Sequence, residues 1–446
     1  MITQKYGELE VGFTSRFTKV SSVSNDQRAH LYNVWRPEAP EGWFIFGHIA
    51  VKDTEDPNGR RGAVIARDLT GGSILKPVQD VETICEYSLP GTPYAFGFYR
   101  PVAPAGFAAL GDLALNKPNL DGLSKVAVVN KAYNGWSYAR PAETGESVYT
   151  GTMAFFGRIG LWTIAAPLLP GDDVEERLLL PTGTFTAVTH TDKPAPTPST
   201  YMLDLPAVVE KDGNPRTPEL TSYDPPLPQQ VITDRVLTLP YFMVNDTERE
   251  EAWKVEHSPF YRLQRKRHFE LVAHEDFRGA GDGSISREVQ EGVSEDKEET
   301  FSETTGVTVS ESVGVEVSAG AFGMGASTSV ESTVSQSVET GYSRRYNVGT
   351  MHSVTMKVTY NVPKDHAGAL WTEAHELVPI RGNDTLVTKY NLMFKTNNYV
   401  GRCYPPVENN PIDTEPAGTS ALDSGEEFDL SLMPAELAER IRQLKQ

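Results

Sequence analysis

The side chains that could do covalent chemistry do not assemble into a catalytic pattern. There is no Gly-x-Ser-x-Gly elbow and no His-Glu-x-x-His signature. Cys85 and Cys403 are the only cysteines, and their spacing is not that of zinc ligands. A disulfide scaffold is therefore excluded, while a single bridge between the two stays open. His375-Glu376 stands alone in the sequence, and lone histidines are mostly structural. Gly279-Ala280-Gly281-Asp282-Gly283 lacks the Lys-Ser/Thr that completes a phosphate loop, so it reads as a turn. A hydrolase has no motif behind it, and no enzyme activity, cofactor or metal is expected. The chemistry left is that of transfer between water and an apolar phase, and it concentrates in one stretch.

Residues 301–343 read FSETTGVTVSESVGVEVSAGAFGMGASTSVESTVSQSVETGYS. Sixteen of the 43 are Ser or Thr, and none is Lys, Arg or Pro. In the first run Val307, Val309, Val313, Val315, Val317 and Ala319 share one parity, and mostly hydroxyl residues share the other. In the second run Val330, Val334 and Val338 share a face. Alternate residues of a strand point to opposite sides, so each run has one apolar and one wet face. Glu311, on the apolar parity, departs from the pattern. Between the runs lies Gly320-Ala321-Phe322-Gly323-Met324-Gly325, a tip that can turn tightly because Gly accepts positive φ. Each arm of about 13 residues extends roughly 43 Å. Tilted by about 40°, it still covers the apolar band of a bilayer. One hairpin cannot close a barrel, and lipid tolerates no open strand edge, so several copies would have to contribute. The competing reading is a solvent-exposed or adhesin-type Ser/Thr-rich sheet.

The segments ESVGVEVSAG and ASTSVESTVSQSVETGYS, on either side of the Gly-rich tip, resemble the insertion region of aerolysin-type β-pore-forming toxins. The resemblance covers about residues 246–405. It implies an amphipathic hairpin resting on a long-stranded domain and unfurling in a ring-shaped homo-oligomer.

Composition sets the limits around this. The chain has 446 residues, room for two or three domains, and a net charge of −19, which argues against a nucleic-acid partner. Anionic lipid is disfavoured too, and a receptor or glycan fits better. No basic start followed by an apolar run is evident at the N-terminus, and no stretch approaches a transmembrane helix. The expected life history is a soluble protein that acts extracellularly at a target-cell membrane. All 31 prolines fall outside residues 260–362. That span suits long hydrogen-bonded strands, because Pro removes a ladder donor.

The first third repeats. Trp35-Arg36-Pro37-Glu38-Ala39-Pro40-Glu41-Gly42-Trp43 is echoed by Tyr99-Arg100-Pro101-Val102-Ala103-Pro104-Ala105-Gly106-Phe107, and Gly47-His48-Ile49-Ala50 by Gly111-Asp112-Leu113-Ala114. A weaker third unit runs from AFFGRIGLWTIAAP to GTFTAVTH. Three short-stranded units suggest a pseudo-threefold, β-prism-like body. Trp35, Trp43, Tyr99 and Phe107 read as core aromatics. Arg36, His48, Arg100 and Asp112 are the candidate receptor contacts, with a structural pairing as the other reading for the arginines. WRPEAPEGWFIFGHIAV and YRPVAPAGFAALGDLAL also resemble the vacuolar-protein-sorting-associated family numbered sixty-two, over about residues 25–190. Phe46-Gly47-His48 departs from that family's Leu-Gly-Asp. The resemblance implies no enzyme.

The remaining segments complete the plan. Residues 191–245 read as a Pro-rich connector. FYRLQRKRHFELVAHEDF at 260–277 reads as a long strand with an exposed basic stripe of Arg262, Arg265, Lys266 and Arg267. HSVTMKVTYNVP and LVTKYNLMFKT read as further strands, the first with Val354, Met356, Val358, Tyr360 and Val362 inside. Residues 406–446 read as an acidic linker and an amphipathic helix over 433–445. The expectation is an all-β protein. A recognition body at 1–190 is joined to an elongated antiparallel aerolysin-like domain at 246–405, and the chain acts as a pore-forming toxin, with insects among the targets considered. A non-lytic carbohydrate-binding or adhesin-type protein is the alternative.

Overall fold

The computed structural model describes residues 1–292 and 354–417, apart from 25–30, 53–55, 89–90, 92–94, 118–121, 154–156, 166, 168–176, 212, 245, 247, 388–390 and 408–409. The fold is all-β.

The chain opens with β1 (Gln4–Tyr6), β2 (Leu9–Thr14), β3 (Phe17–Ser24), β4 (Leu31–Pro37), β5 (Ile49–Lys52) and β6 (Ala63–Asp68). Next come β7 (Leu75–Pro77), β8 (Val81–Ser88), β9 (Ala95–Pro101), β10 (Phe107–Ala108), β11 (Leu113–Lys117) and β12 (Ala127–Asn130). A further set holds β13 (Ala139–Pro141), β14 (Glu143–Met153), β15 (Gly157–Ala165), β16 (Arg177–Leu180), β17 (Phe185–Val188) and β18 (Tyr201–Pro206). The same pairing scheme recurs in each set. A three-stranded meander (β3-β4-β5, β8-β9-β11, β14-β15-β17) is bracketed by strands that pair with each other, β2 with β6, β7 with β12 and β13 with β18. The chain between the last two meander strands returns to the bracket: Phe44 bridges Ala66, β10 pairs with β12, and β16 with β18. Register aligns the units, with Trp35 opposite Ile49, Tyr99 opposite Leu113 and Thr163 opposite Phe185. Val34, Ala50, Phe98, Ala114, Ile159, Leu161 and Phe185 join the meanders in one core. Trp35, Trp43 and Tyr99 are buried and Phe107 is half-buried, as core aromatics should be.

Beyond the third set lie β19 (Val209–Lys211), β20 (Ile232–Pro240), α1 (Glu251–His257), β21 (Phe260–Asp276), β22 (Gly283–Glu291), β23 (Val354–Val362), β24 (Ala367–Ile380), β25 (Leu392–Tyr404) and β26 (Ile412–Pro416). They form an antiparallel sheet ordered β19-β20-β21-β24-β25 and a smaller one ordered β22-β23-β26. Residues 191–245 are thus more than a connector, because β18, β19 and β20 take ladder positions inside it. Ile285, Val289, Val358, Tyr360 and Val362 pack the small sheet on Ala273, Leu370 and Cys403 of the large one. The opposite face of the large sheet is covered through Leu220 and Phe269 with Trp371. Phe13 of β2 meets Tyr241 at 5.2 Å and Phe260 at 5.5 Å, centroid to centroid, so one apolar cluster runs from the first bracket into the long sheet. Cys85 and Cys403 are both free thiols.

The basic stripe is corrected by this sheet. Arg265 and Arg267 are 6% exposed and face inward with Leu263 and Phe269. Arg265 Nε donates to Asp234 Oδ1 at 2.8 Å, and its Nη2 donates to Oδ2 at 2.6 Å. Arg267 Nη1 reaches the same Oδ2 at 3.0 Å, and its Nε donates to Glu373 Oε1 at 2.6 Å. A bulge between Thr233 and Arg235 adds Asp234 to β20, which aims its carboxylate inward. Only Arg262 and Lys266 lie on the wetter face, near Asp384 and Glu376.

Candidate insertion frame and recognition face

The candidate insertion residues, Val307, Val309, Val313, Val315, Val317, Ala319, Phe322, Met324, Val330, Val334 and Val338, lie outside the described residues. So does the helix expected over 433–445. The strands that flank the insertion stretch are described, and they constrain it. β22 and β23 pair without a bulge from Gly283 opposite Val362 to Glu291 opposite Val354. The chain therefore departs and returns on neighbouring strands. Their shared inner face is built by Ile285 and Val289 from β22 and by Val358, Tyr360 and Val362 from β23. The described ladder ends at Glu291 opposite Val354, and the next residue, Gly292, has a φ of +76°. That left-handed backbone is open to glycine and costly for other residues. It sends the Gly292 N–H to the Lys395 carbonyl, at 2.9 Å, instead of onward along β23. Tyr399 donates to Glu291 Oε1 at 2.6 Å and secures the same corner. Sequence alternation finds β23, whereas β22 is not read beyond the turn that precedes it. Gly292 carries no signal beyond being a glycine at the end of one of them.

The four candidate receptor contacts fall on the aligned positions of two units, and the structure treats the two pairs differently. Asp112 is fully buried. Its Oδ1 accepts from Arg100 Nε at 3.2 Å, and its Oδ2 accepts from Arg100 Nη2 at 3.1 Å and from the Ala187 N–H at 2.7 Å. Burial pushes the Asp112 carboxyl above its ordinary range, while Arg100 pulls the other way. Arg100 and Asp112 therefore join the second unit to the third and are not a receptor-facing pair. The reason is geometric: the residue before the third meander strand points into the seam between units. His48 occupies the same place in the first unit, is 1% exposed, and accepts from the Ala114 N–H through Nδ1 at 3.2 Å. Arg36 is half-buried beside it. A third cluster carries no signal in the sequence. Asp204, fully buried, takes Arg140 Nε and Arg177 Nη1, each at 2.7 Å, from residues far apart in the chain.

Burial first, then the charge on Arg36, lowers the His48 pKa to about 3. The unfolded side chain takes its proton near pH 6.5. Below that pH the unfolded state binds a proton that the folded state refuses, so stability falls from about pH 6.5 toward pH 3. Burial lowers the His375 pKa as well, with the same sign. The thermal midpoint should therefore drop across this window, and His48→Asn should flatten part of the slope. A melt series with the same slope in that variant would show that His48 is not held neutral.

With the geometry in view, the comparisons place the second part of the chain. Residues 232–397 match the family model described as Insecticidal Crystal Toxin, P42. This stretch carries β20, β21 and β24 of the long sheet and the first part of β25, and the match supports a toxin. Two solved structures are also similar. One is GNIP1Aa from Chromobacterium piscinae, 17% identical over 41% of this chain and 34% of that one, with a TM-score of 0.32. This chain thus spans about a third of GNIP1Aa. The other is Cry35Ab1, 11% identical over 90% of this chain and 91% of that one, with a TM-score of 0.36. No curated protein matches the chain. The resemblance of residues 25–190 to the vacuolar-protein-sorting-associated family gains no support from these comparisons.

Proposed function

We propose that the chain is a pore-forming toxin with insect cells as its targets, and that it acts without catalysis. It binds a receptor or glycan on the target cell, assembles as a homo-oligomer, and contributes one hairpin per copy to a β-barrel. No helix of the described residues is long and apolar enough to cross a membrane.

The observation that carries this reading is the register of β22 with β23. Continued one residue at a time from Glu291 opposite Val354, it sets Val307 opposite Val338, Val315 opposite Val330 and Ala319 opposite Ala326. Gly320 then faces Gly325, and the turn closes on Phe322 and Gly323. The apolar parities of the two arms fall on one face, the face that already carries Ile285 and Val358. A slip of one residue would turn one arm's apolar set to the other side. The described register and the sequence pattern are thus compatible with one continuous hairpin, in which Gly292, turned toward Lys395 in the described state, would rejoin the ladder in the pore. In the pore this amounts to β22 and β23 lengthening without a break. Glu311 falls opposite Val334 and is the one charge on that face between Val307 and Val338; nearer the described strands the same parity carries Glu295, Lys297, Glu299, Glu303 and Arg344.

The test is permeabilisation of vesicles made from target-cell membrane, combined with cross-linking. Opposed strand residues come close enough for a disulfide. Val315→Cys with Val330→Cys should cross-link within one chain while leakage persists, and Val315→Cys with Ser329→Cys should not cross-link. Preferential coupling of the second pair would discard the register. Binding without dye release from any preparation would favour the adhesin-type alternative.

A further inference from the structure

β22 belongs to the small sheet as far as Glu291, and the next residue pairs elsewhere. Gly292 forms an antiparallel bridge with Lys395, on the edge of β25 away from β24. The chain thus changes sheets within one residue, at the last described position before the insertion stretch. β25 is shaped for this. Thr372 lies opposite Tyr399 and Ala374 opposite Lys395, so three residues of β25 answer one of β24. Those three, Thr396, Asn397 and Asn398, form a bulge that bends the edge strand. Side chains fix it: Thr372 Oγ1 donates to the Thr396 carbonyl at 2.9 Å, and Asn398 Nδ2 donates to Glu373 Oε2 at 2.7 Å. The residues on either side of the bulge, Lys395 and Tyr399, are the two that hold the corner.

Each grips the chain differently. Lys395 gives its carbonyl to the Gly292 N–H at 2.9 Å, and its own Nζ is tied to Glu270 Oε1 of β21 at 2.9 Å. Tyr399 donates its hydroxyl to Glu291 Oε1 at 2.6 Å. That is the length of a charge-assisted O–H···O⁻ bond, roughly twice as strong as a neutral one. Gly292 is held at a φ of +76°, where a residue with a side chain is strained. The bond from Gly292 to Lys395 cannot persist once Gly292 continues the ladder of β22 with β23. The Tyr399 bond opposes any separation of that end of β22 from β25.

We infer that Tyr399 and Gly292 form a latch, which holds the entry of the insertion stretch against β25 and must open before β22 and β23 can lengthen. The inference rests on the pore-forming reading above. Two chemically unrelated changes then act in one direction. Tyr399→Phe deletes the pin to Glu291 and keeps the ring, which packs beside the core shared by the two sheets. Gly292→Ala penalises the left-handed backbone of the latched corner and leaves the extended backbone of a ladder unstrained. Both raise the energy of the latched state alone, so both lower the barrier to leaving it.

The experiment is dye release from vesicles of target-cell membrane, timed from binding of the full chain, beside amide hydrogen exchange of the same proteins in solution. Tyr399→Phe removes a hydrogen bond to a charged group and should speed release about tenfold. Gly292→Ala should speed it by a similar factor, about tenfold. Arg287→Gln is the control: it breaks an exposed pair with Glu275 on the same strand, away from the corner, and should release at the parental rate. In solution the Gly292 amide should exchange faster in Tyr399→Phe than in the parent, while amides between β21 and β24 keep their protection. Parental release rates in both corner variants would overturn the latch. So would an Arg287→Gln protein accelerated as much as they are, since the effect would then be general loosening. A parent that binds and never releases dye takes down the pore reading and the latch with it. A releasing parent beside unmoved variants takes down the latch alone.

Discussion

Arg267→Met is expected to destabilise the folded chain by about 3–5 kcal/mol, the cost of leaving buried charge without its partner. Arg267 lies between two carboxylates, with Nη1 3.0 Å from Asp234 Oδ2 and Nε 2.6 Å from Glu373 Oε1. Glu373 is fully buried. Burial works against its ionisation, but contacts from His375 and Asn398 and the charge on Arg267 outweigh this and hold its pKa at about 2. A carboxylate with a lowered folded pKa adds stability above its ordinary value near 4.5, and that stability is lost as pH falls through the folded value. The Arg267→Met penalty should therefore be largest at neutral pH and shrink in acid. Lys266→Met provides the contrast. Its ammonium is 3.9 Å from Glu376 on the wetter face, an arrangement worth about 0–1 kcal/mol. Adding Glu373→Gln to Arg267→Met should recover part of the loss, since the stranded charge goes with it. Denaturant unfolding of the four proteins decides the matter, and an Arg267→Met protein within 1 kcal/mol of the parent would mean that the charges compensate through neighbours other than these.

The same residues show how far the sequence could be read. Alternation over 260–276 correctly predicts the long strand, and its parity places Arg265 and Arg267 with Leu263 and Phe269. Residue type pulled the other way: four basic residues in close succession read as a wet stripe. Parity was the better guide, because it puts Arg265 and Arg267 on the covered face and leaves only Arg262 and Lys266 on the wetter one. What parity could not supply was the partner. Asp234 meets the arginines only because of a bulge, and Glu373 lies on a strand more than a hundred residues away. Arg100 and Asp112, read as receptor contacts, were misplaced for a related reason. The echo of Gly47-His48 in Gly111-Asp112 is real in the register, but the repeated position points into the seam between units, where Asp112 is consumed by Arg100 and Ala187. A repeat shows that a position matters to the body and leaves open which way it faces. Residues 209–211 and 232–240 were hidden by their Pro-rich surroundings, although Pro is tolerated at strand ends and edges. The insertion stretch is the reverse case: its pattern was legible from the start, and it lies outside the described residues.

Phe322→Asp combined with Met324→Asp is expected to leave folding, cell binding and assembly intact and to abolish permeabilisation. The two are the only large apolar side chains between Val317 and Val330. In the continued register Phe322 sits in the closing turn and Met324 faces Ala321 beside it, a place where soluble hairpins usually put polar residues. Under the proposed function this turn is the leading end of a hairpin that crosses the bilayer. Burial of one such side chain in lipid contributes about 1.5–3 kcal/mol. A carboxylate carried to the bilayer centre costs ~2.5–3.5 kcal/mol on the insertion scale. The sign of the tip's transfer energy thus reverses, and each copy in a ring bears the change, so the barrier rises with every subunit. Rings should still form on the membrane, visible by electron microscopy, without release of an encapsulated dye. If the two side chains serve instead to pack the resting hairpin against the body, the double variant should lose thermal stability before it loses anything else. A variant that melts normally and releases dye at the parental rate would falsify the tip assignment, and with it the direction in which the hairpin enters the membrane.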